Sequence, residues 1–339
     1  MIKKLGFTIL LANSLFAFDF ADITSAVTDV AQKSIKALAE PGQTTNVDKQ
    51  CKIMFESYEV NYKSAISIAT SHTISNSSTI SSYLSKDSDF SKDELQQNIK
   101  ELTKDLAKNS FWIPIEVEKF YGQLAFNERR KSAEIIEETN RNIRYKRLFK
   151  KVNSFLNQYK KSNKDMNFPF DLKVAITTEK NVAEALPFGH LIISQNLLES
   201  NNYKTILAHE LSHISKRHAA KELQYKLIKS YSSIEDIVKF IKNINDEDYV
   251  QNADLSNAML LVRGFFNYYS NEQELEADAC GLKTMVKINK NNKRKYANEL
   301  IQNINKLSVK TTKIDDILGD SHPSKEIRVK NIKELERTL

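Results

Sequence analysis

Glycine and proline are scarce in this chain, 7 and 5 among 339 residues. So few turn formers argue against a turn-rich β protein and for long helices. Cysteine is scarcer still: the 2 present, Cys51 and Cys280, do not make a disulfide framework, although export would permit one bridge. No apolar run reaches the roughly 20 residues that a bilayer span needs. No internal repeat is present. The chain also lacks a basic cluster interleaved with aromatics. Its net charge of +7 comes from lysines interspersed with acids, as between Lys92 and Lys108. That is a solvated surface, and no nucleic-acid partner is expected. The densest basic stretch, Arg141-Asn-Ile-Arg-Tyr-Lys-Arg147, reads as a helix surface, with peripheral contact with anionic membrane lipid as the minor reading. What is there is ordinary for a globular protein, 41% apolar and 27% charged residues.

The chain opens with an address. Met1-Ile-Lys-Lys4 is a positive start, Leu5 to Phe16 is mostly apolar, and Ala17 is small. That is the layout of a signal peptide over residues 1–17, and it predicts an exported, soluble mature protein. Residues 18–135 read as a helical N-terminal region of unknown role. Helical patterns cover residues 22–40, about 47–68 and Leu95 to Leu106, with a Ser- and Thr-rich stretch over 64–94. After Pro114 a long helical region runs from Glu116 to about Lys161, with a break expected near Gly122 or Asn127. A loop follows at 162–170. Leu172 to Thr177 and Leu191 to Ser194 alternate like strands, the second after a Pro187-Phe-Gly189 turn. From Tyr203 onward the pattern is almost wholly helical. The fold class is therefore α+β and mostly helical, with residues 136–339 as a second domain that holds the sheet.

Chemistry enters at Ala208-His-Glu-Leu-Ser-His-Ile214. His209 and His213 are four apart, so on a helix their rings share one face. Two such imidazoles can hold one Zn²⁺. Glu210 lies beside them, turned aside from the metal, as the general base of a His-Glu-x-x-His peptidase. Ile206, Leu207, Leu211 and Ile214 supply an apolar backing.

A catalytic zinc takes a third protein ligand. His218 lies nine residues past His209, half a turn out of phase on a continuous helix, and reads as a solvated helix-end residue. The better source is Asn271-Glu-Gln-Glu-Leu-Glu-Ala-Asp-Ala279. Glu274 and Asp278 are four apart and share a face. Glu274 can ligate, and Asp278 can accept the second ring N–H of His209 or His213. Glu272 and Glu276 are rivals on periodicity alone, although Glu276, about 200° round from Glu274, is expected to face solvent. Cys280 is about 240° round and is not read as a ligand.

The two motifs together resemble the gluzincin peptidases of metallopeptidase family forty-eight, which includes HtpX, the CAAX prenyl endopeptidases and exported bacterial relatives in envelope quality control. Ala185-Leu-Pro-Phe-Gly-His-Leu-Ile-Ile193, Gly281, and Ser321-His322-Pro323 with Arg328 match further. The resemblance covers about 139–339. It implies a zincin-like domain with a small edge-strand sheet and one Zn²⁺ per chain. His209, His213 and Glu274 become the ligands and Glu210 the base. Asp278 becomes the orienter of His209. His322 becomes an active-site residue that stabilises an oxyanion or caps the resting metal, with Arg328 steadying that segment. Pro187, Phe188, Gly189, His190 and Leu191 would contact substrate, residues 187–194 acting as an edge strand. Phe188 replaces the usual glycine, and His190 stands where an aromatic residue is common. A strand histidine facing solvent is the plain alternative for His190. The expected activity is cleavage of unfolded or misassembled proteins in the periplasm of a Gram-negative bacterium. The alternatives are a zinc-stabilised envelope chaperone or binding module with gated or lost proteolysis, and a helical interaction protein in which the motif is accidental.

Overall fold

The computed structural model describes Cys51, residues 54–56, Tyr58, residues 111–164, 168–229, Tyr269, residues 271–306 and 325–339. The signal-peptide reading, the helices expected over 22–40 and from Leu95 to Leu106, and His322 with its neighbours lie outside the described residues. Of the helix expected over about 47–68, Cys51, residues 54–56 and Tyr58 are described and are not helical, Cys51 standing at φ 43°. Nearly all that is described belongs to one compact unit made of Thr44–Val60, Ile113–Leu227 and Asn243–Leu339.

The unit is α+β and mostly helical. Helix α1 (Ile115–Ser132) starts after Pro114, with Glu116 and Glu118 in its first turn and Arg129, Arg130 and Lys131 in its last. That charge order suits the helix dipole. The break expected near Gly122 or Asn127 falls later, at β1 (Ile135–Ile136) and the turn after it. Gly122 lies inside α1, where a Cβ would collide with the Pro187 carbonyl, so it marks a close approach rather than a helix end. Helix α2 (Ile143–Ser162) is opened by Asn142, whose side chain accepts from the Arg144 N–H.

Four strands form one sheet in the order β1, β2 (Lys173–Thr177), β4 (His190–Ser194), β3 (Ala183–Leu186). β2 and β4 are parallel and the outer pairs antiparallel. β4 is buried along its whole length, as an unbroken apolar run implies. This corrects the expectation for residues 187–191. His190 and Leu191 pair with Lys173 and Val174 on one side and with Leu186 and Ala185 on the other, so β4 is interior and its backbone is taken. Pro187–Gly189 is a 3-10 turn covered by α1. The edge strand on that side is β3. Phe188 sits at φ 57° and ψ 39°, the left-handed conformation glycine would take without strain, at a cost of about 1 kcal/mol. Its ring packs on Phe170, 4.4 Å between centroids.

Helix α3 (Gln195–Glu199) leads into α4 (Tyr203–Ser215), in which every residue from Thr205 to Ser215 is buried. Helix α5 (His218–Lys229) follows, then α6 (Asn271–Ile288), α7 (Lys293–Lys306) and α8 (Lys325–Thr338). α6 crosses α4 closely at Gly281, where an added Cβ would lie 3.1 Å from the backbone N and Cα of His209. Gly281→Val is expected to wedge the helices apart, costing about 1–3 kcal/mol in urea unfolding and lowering metal occupancy. Full occupancy in the variant would contradict the tight crossing.

Cys51 and Cys280 form a disulfide across 229 residues of chain. It ties the segment around residue 56 to α6. There the Glu56 N–H donates to the Ser215 carbonyl at 2.8 Å and Tyr58 Oη to the Ile214 carbonyl at 3.2 Å, satisfying the open end of α4. Replacing both cysteines with serine is expected to cost about 2–4 kcal/mol of stability, read by thermal unfolding of the oxidised protein. An unchanged melting temperature would show that the loop closure contributes nothing.

Candidate metal centre

Residues four apart on α4 bring the His209 and His213 Nε2 atoms to 3.1 Å. α6 adds Glu274, with Oε2 3.5 Å from His209 Nε2 and Oε1 3.6 Å from His213 Nε2. All three residues are buried, and they are the group of potential ligands that converges among the described residues. A tetrahedral ion with bonds near 2.0–2.1 Å has ligand-to-ligand edges of about 3.3 Å. The three observed edges match one face of such a tetrahedron, so this donor set fits a single metal ion.

The protons support that fit. His209 Nδ1 lies 2.9 Å from Asp278 Oδ1, which leaves Nε2 to face Glu274 and His213. Asp278 is fully buried and receives a bidentate pair from Arg328, Nε at 2.8 Å and Nη2 at 2.7 Å. Arg328 Nη1 also reaches Glu274 Oε2 at 2.8 Å. Burial pushes the Glu274 carboxyl up, but Arg328 and the two imidazoles outweigh it and hold it well below the usual carboxylate range. Burial pushes His209 down, but Asp278 and Glu274 override it and raise the ring to about 10. A binding metal therefore displaces a proton from His209. Burial carries His213 well below its ordinary value, with Glu274 opposing and His209, His218 and Arg328 adding to the fall, and that is the neutral form a ligand needs. Burial pushes Glu210 up to about 7, with Glu274 adding to the rise and His209 opposing it. A carboxyl poised there can both take and return a proton near neutral pH.

Of the residues singled out in the sequence, the structure brings His209, His213 and Glu274 together, sets Asp278 at the Nδ1 of His209, and buries Glu210 outside the triad. Others change. His218 is no solvated helix end. It is fully buried, with Nδ1 2.9 Å from His213 Nδ1. The phase argument presumed one continuous helix, but Lys216 caps α4 and Arg217 turns at φ 50°, so α5 starts afresh at His218. Glu276 does not face open solvent. It contacts His218 Nε2 at 3.1 Å and Lys216 Nζ at 3.0 Å, on the far side of α6 from Glu274. Arg328 acts on the two α6 carboxylates themselves. His190 is buried and stacked on Phe126, 5.0 Å between centroids, rather than exposed or at a substrate edge. Tyr269 was missed. Its ring stacks on His213 at 3.9 Å and its hydroxyl donates to the Ala185 carbonyl of β3. No periodic signal marks it, because it precedes α6.

No curated protein and no solved structure matches the chain. The model of peptidase family M48 matches residues 151–336. That match spans more than half of the chain and takes in both helices whose side chains converge on the triad, and the chain belongs to peptidase family M48, a family of metal-dependent peptidases.

Proposed function

We propose that this protein is a zinc endopeptidase that cuts unfolded or extended segments of exported proteins, in envelope quality control in the periplasm of a Gram-negative bacterium. The observation that carries the reading is the triangle of His209, His213 and Glu274, with edges of 3.1, 3.5 and 3.6 Å, beside a buried Glu210 that is not part of it. Two imidazoles and one carboxylate are the donor set of a catalytic zinc with a position left open. Zinc bound there supplies a Lewis acid that polarises a carbonyl and acidifies water. Glu210 takes the proton of the attacking water and passes it to the leaving amine. Asp278 keeps the His209 ring turned toward the triad.

β3 is the strand whose outer edge an extended peptide can join, since α4 packs against it and β4 occupies its other side. Tyr269 already donates to the Ala185 carbonyl on this strand, so a bound peptide shares that edge with the hydroxyl. Only an unfolded or looped segment can add as a strand, which supports substrates lacking a compact core. The Cys51–Cys280 disulfide supports an oxidising, exported compartment. Contact with a membrane surface through the lysine- and arginine-rich face of α2 is a subsidiary part of the proposal. No described helix is long and apolar enough to cross a membrane.

Purified protein is expected to carry about one zinc per chain and to degrade unfolded casein. A chelator should stop the degradation and added zinc restore it. Protein that binds zinc and casein but never cuts would favour the binding-module reading instead. Protein with no affinity for zinc would end both.

A further inference from the structure

An imidazole that gives its Nε2 lone pair to a metal must carry its proton on Nδ1, and what accepts that proton fixes the ring. For His209 the neighbour at Nδ1 is the Asp278 carboxylate. For His213 it is a second imidazole, with His218 Nδ1 at 2.9 Å. If His213 donates, His218 accepts at Nδ1 and keeps its own proton on Nε2. That nitrogen lies 3.1 Å from Glu276 Oε2, a carboxylate able to take it. The other oxygen, Glu276 Oε1, is 3.0 Å from Lys216 Nζ, which in turn lies 2.6 Å from Glu56 Oε1. With both imidazoles neutral and Glu276 ionised, one arrangement of protons satisfies the whole series, and it is the one that leaves His213 Nε2 free toward the triad. His218 is 0% exposed, so water does not compete for either of its nitrogens. Tyr269 lies flat on the His213 ring and holds its plane, but stacking does not choose the tautomer.

We propose that His218, held by Glu276, is the positioning residue of His213, which is therefore oriented through an imidazole–imidazole–carboxylate series while His209 is oriented by a carboxylate directly. A buried histidine of purely structural use would need neither its Nδ1 on a ligand ring nor its Nε2 on a carboxylate. The inference rests on the metal reading given under Proposed function.

Three variants test it: His218→Phe keeps a ring and removes the acceptor, His218→Asn restores an acceptor oxygen close to the lost Nδ1, and Glu276→Gln keeps an acceptor for His218 but removes the charge. Zinc affinity by chelator competition, the visible spectrum of the cobalt-loaded protein, and the melting temperature of the metal-free protein are read for each. His218→Phe is expected to weaken zinc binding about 10–100-fold and to shift the cobalt bands, with most of the loss recovered in His218→Asn. A folded His218→Phe protein that binds zinc within about twofold of wild type, or an asparagine variant no better than the phenylalanine one, overturns the proposal. If His218→Phe does not fold, Glu276→Gln decides: about tenfold weaker zinc binding supports the series, and unchanged binding overturns it. Wild-type protein that takes up no zinc overturns the metal reading and this inference with it, whereas failure of the variants alone leaves the metal reading standing.

Discussion

Glu210→Gln is expected to lower kcat/KM for an unfolded substrate by about 10³-fold while zinc content stays at the wild-type level. The size follows from the role. A positioned general base contributes roughly 10²- to 10⁴-fold, and glutamine has the same shape with no basic oxygen. Zinc should stay because Glu210 stands outside the triangle formed by His209, His213 and Glu274. Stability should stay as well. The carboxyl is buried and pushed up to about 7, so near neutral pH much of it is already uncharged, and a neutral amide adds no buried charge. The measurement is single-turnover cleavage of a labelled peptide beside metal analysis of the same sample. A variant that cuts within tenfold of wild type would remove Glu210 from the chemistry. A variant that loses zinc would instead make it part of the metal site.

The second large effect is expected at Arg328, and it should depend on metal. Its guanidinium touches both α6 carboxylates, Glu274 at 2.8 Å and Asp278 at 2.7 and 2.8 Å. Glu274 and Asp278 share one helix face four residues apart, where like charges repel. Arg328→Met leaves both buried, with the His209 imidazolium as the remaining cation that faces them among the described residues. Breaking a buried pair in this way costs about 3–5 kcal/mol. A dication in the triad takes over part of the charge that Arg328 balances. Unfolding of chelator-stripped Arg328→Met should therefore lose about 3–5 kcal/mol, and the zinc-loaded variant clearly less, so that zinc raises the melting temperature more than it does in wild type. Equal losses with and without zinc would mean that Arg328 contributes only packing and local salt bridges.

Much of the site was legible without coordinates. His209 with His213, and Glu274 with Asp278, are pairs at helical spacing, and that spacing alone places each pair on one face. β2 and β4 were legible as short β-patterned runs, and the helices of the C-terminal part as amphipathic segments. The errors share a cause. His218 was placed by extending one helix past its true end, and the cap at Lys216 with the left-handed turn at Arg217 carries no strong mark in residue type. Helical phase gives the angle of Glu276 from Glu274 but not its neighbours, so His218 and Lys216 beside it are invisible in the sequence. Over residues 187–194 an edge strand and an interior strand read alike, because a run of apolar residues does not say how many strands flank it. β3, with its two alanines and a glutamate, has too weak a pattern to be seen.

The metal-binding pattern is local and readable from residue order, because an imidazole pair, the glutamate beside it and a carboxylate pair are set by the 3.6-residue turn of a helix. What surrounds that pattern depends on the packing of distant elements. That packing joined Cys51 to Cys280 across 229 residues and brought Arg328 onto Glu274 and Asp278. It also turned His218 back onto His213, and it made β3 the edge. Those relations depend on which faces of distant elements meet. Burial of apolar surface drives them without direction, and the close approach at Gly281 and the break at Arg217 then settle the geometry.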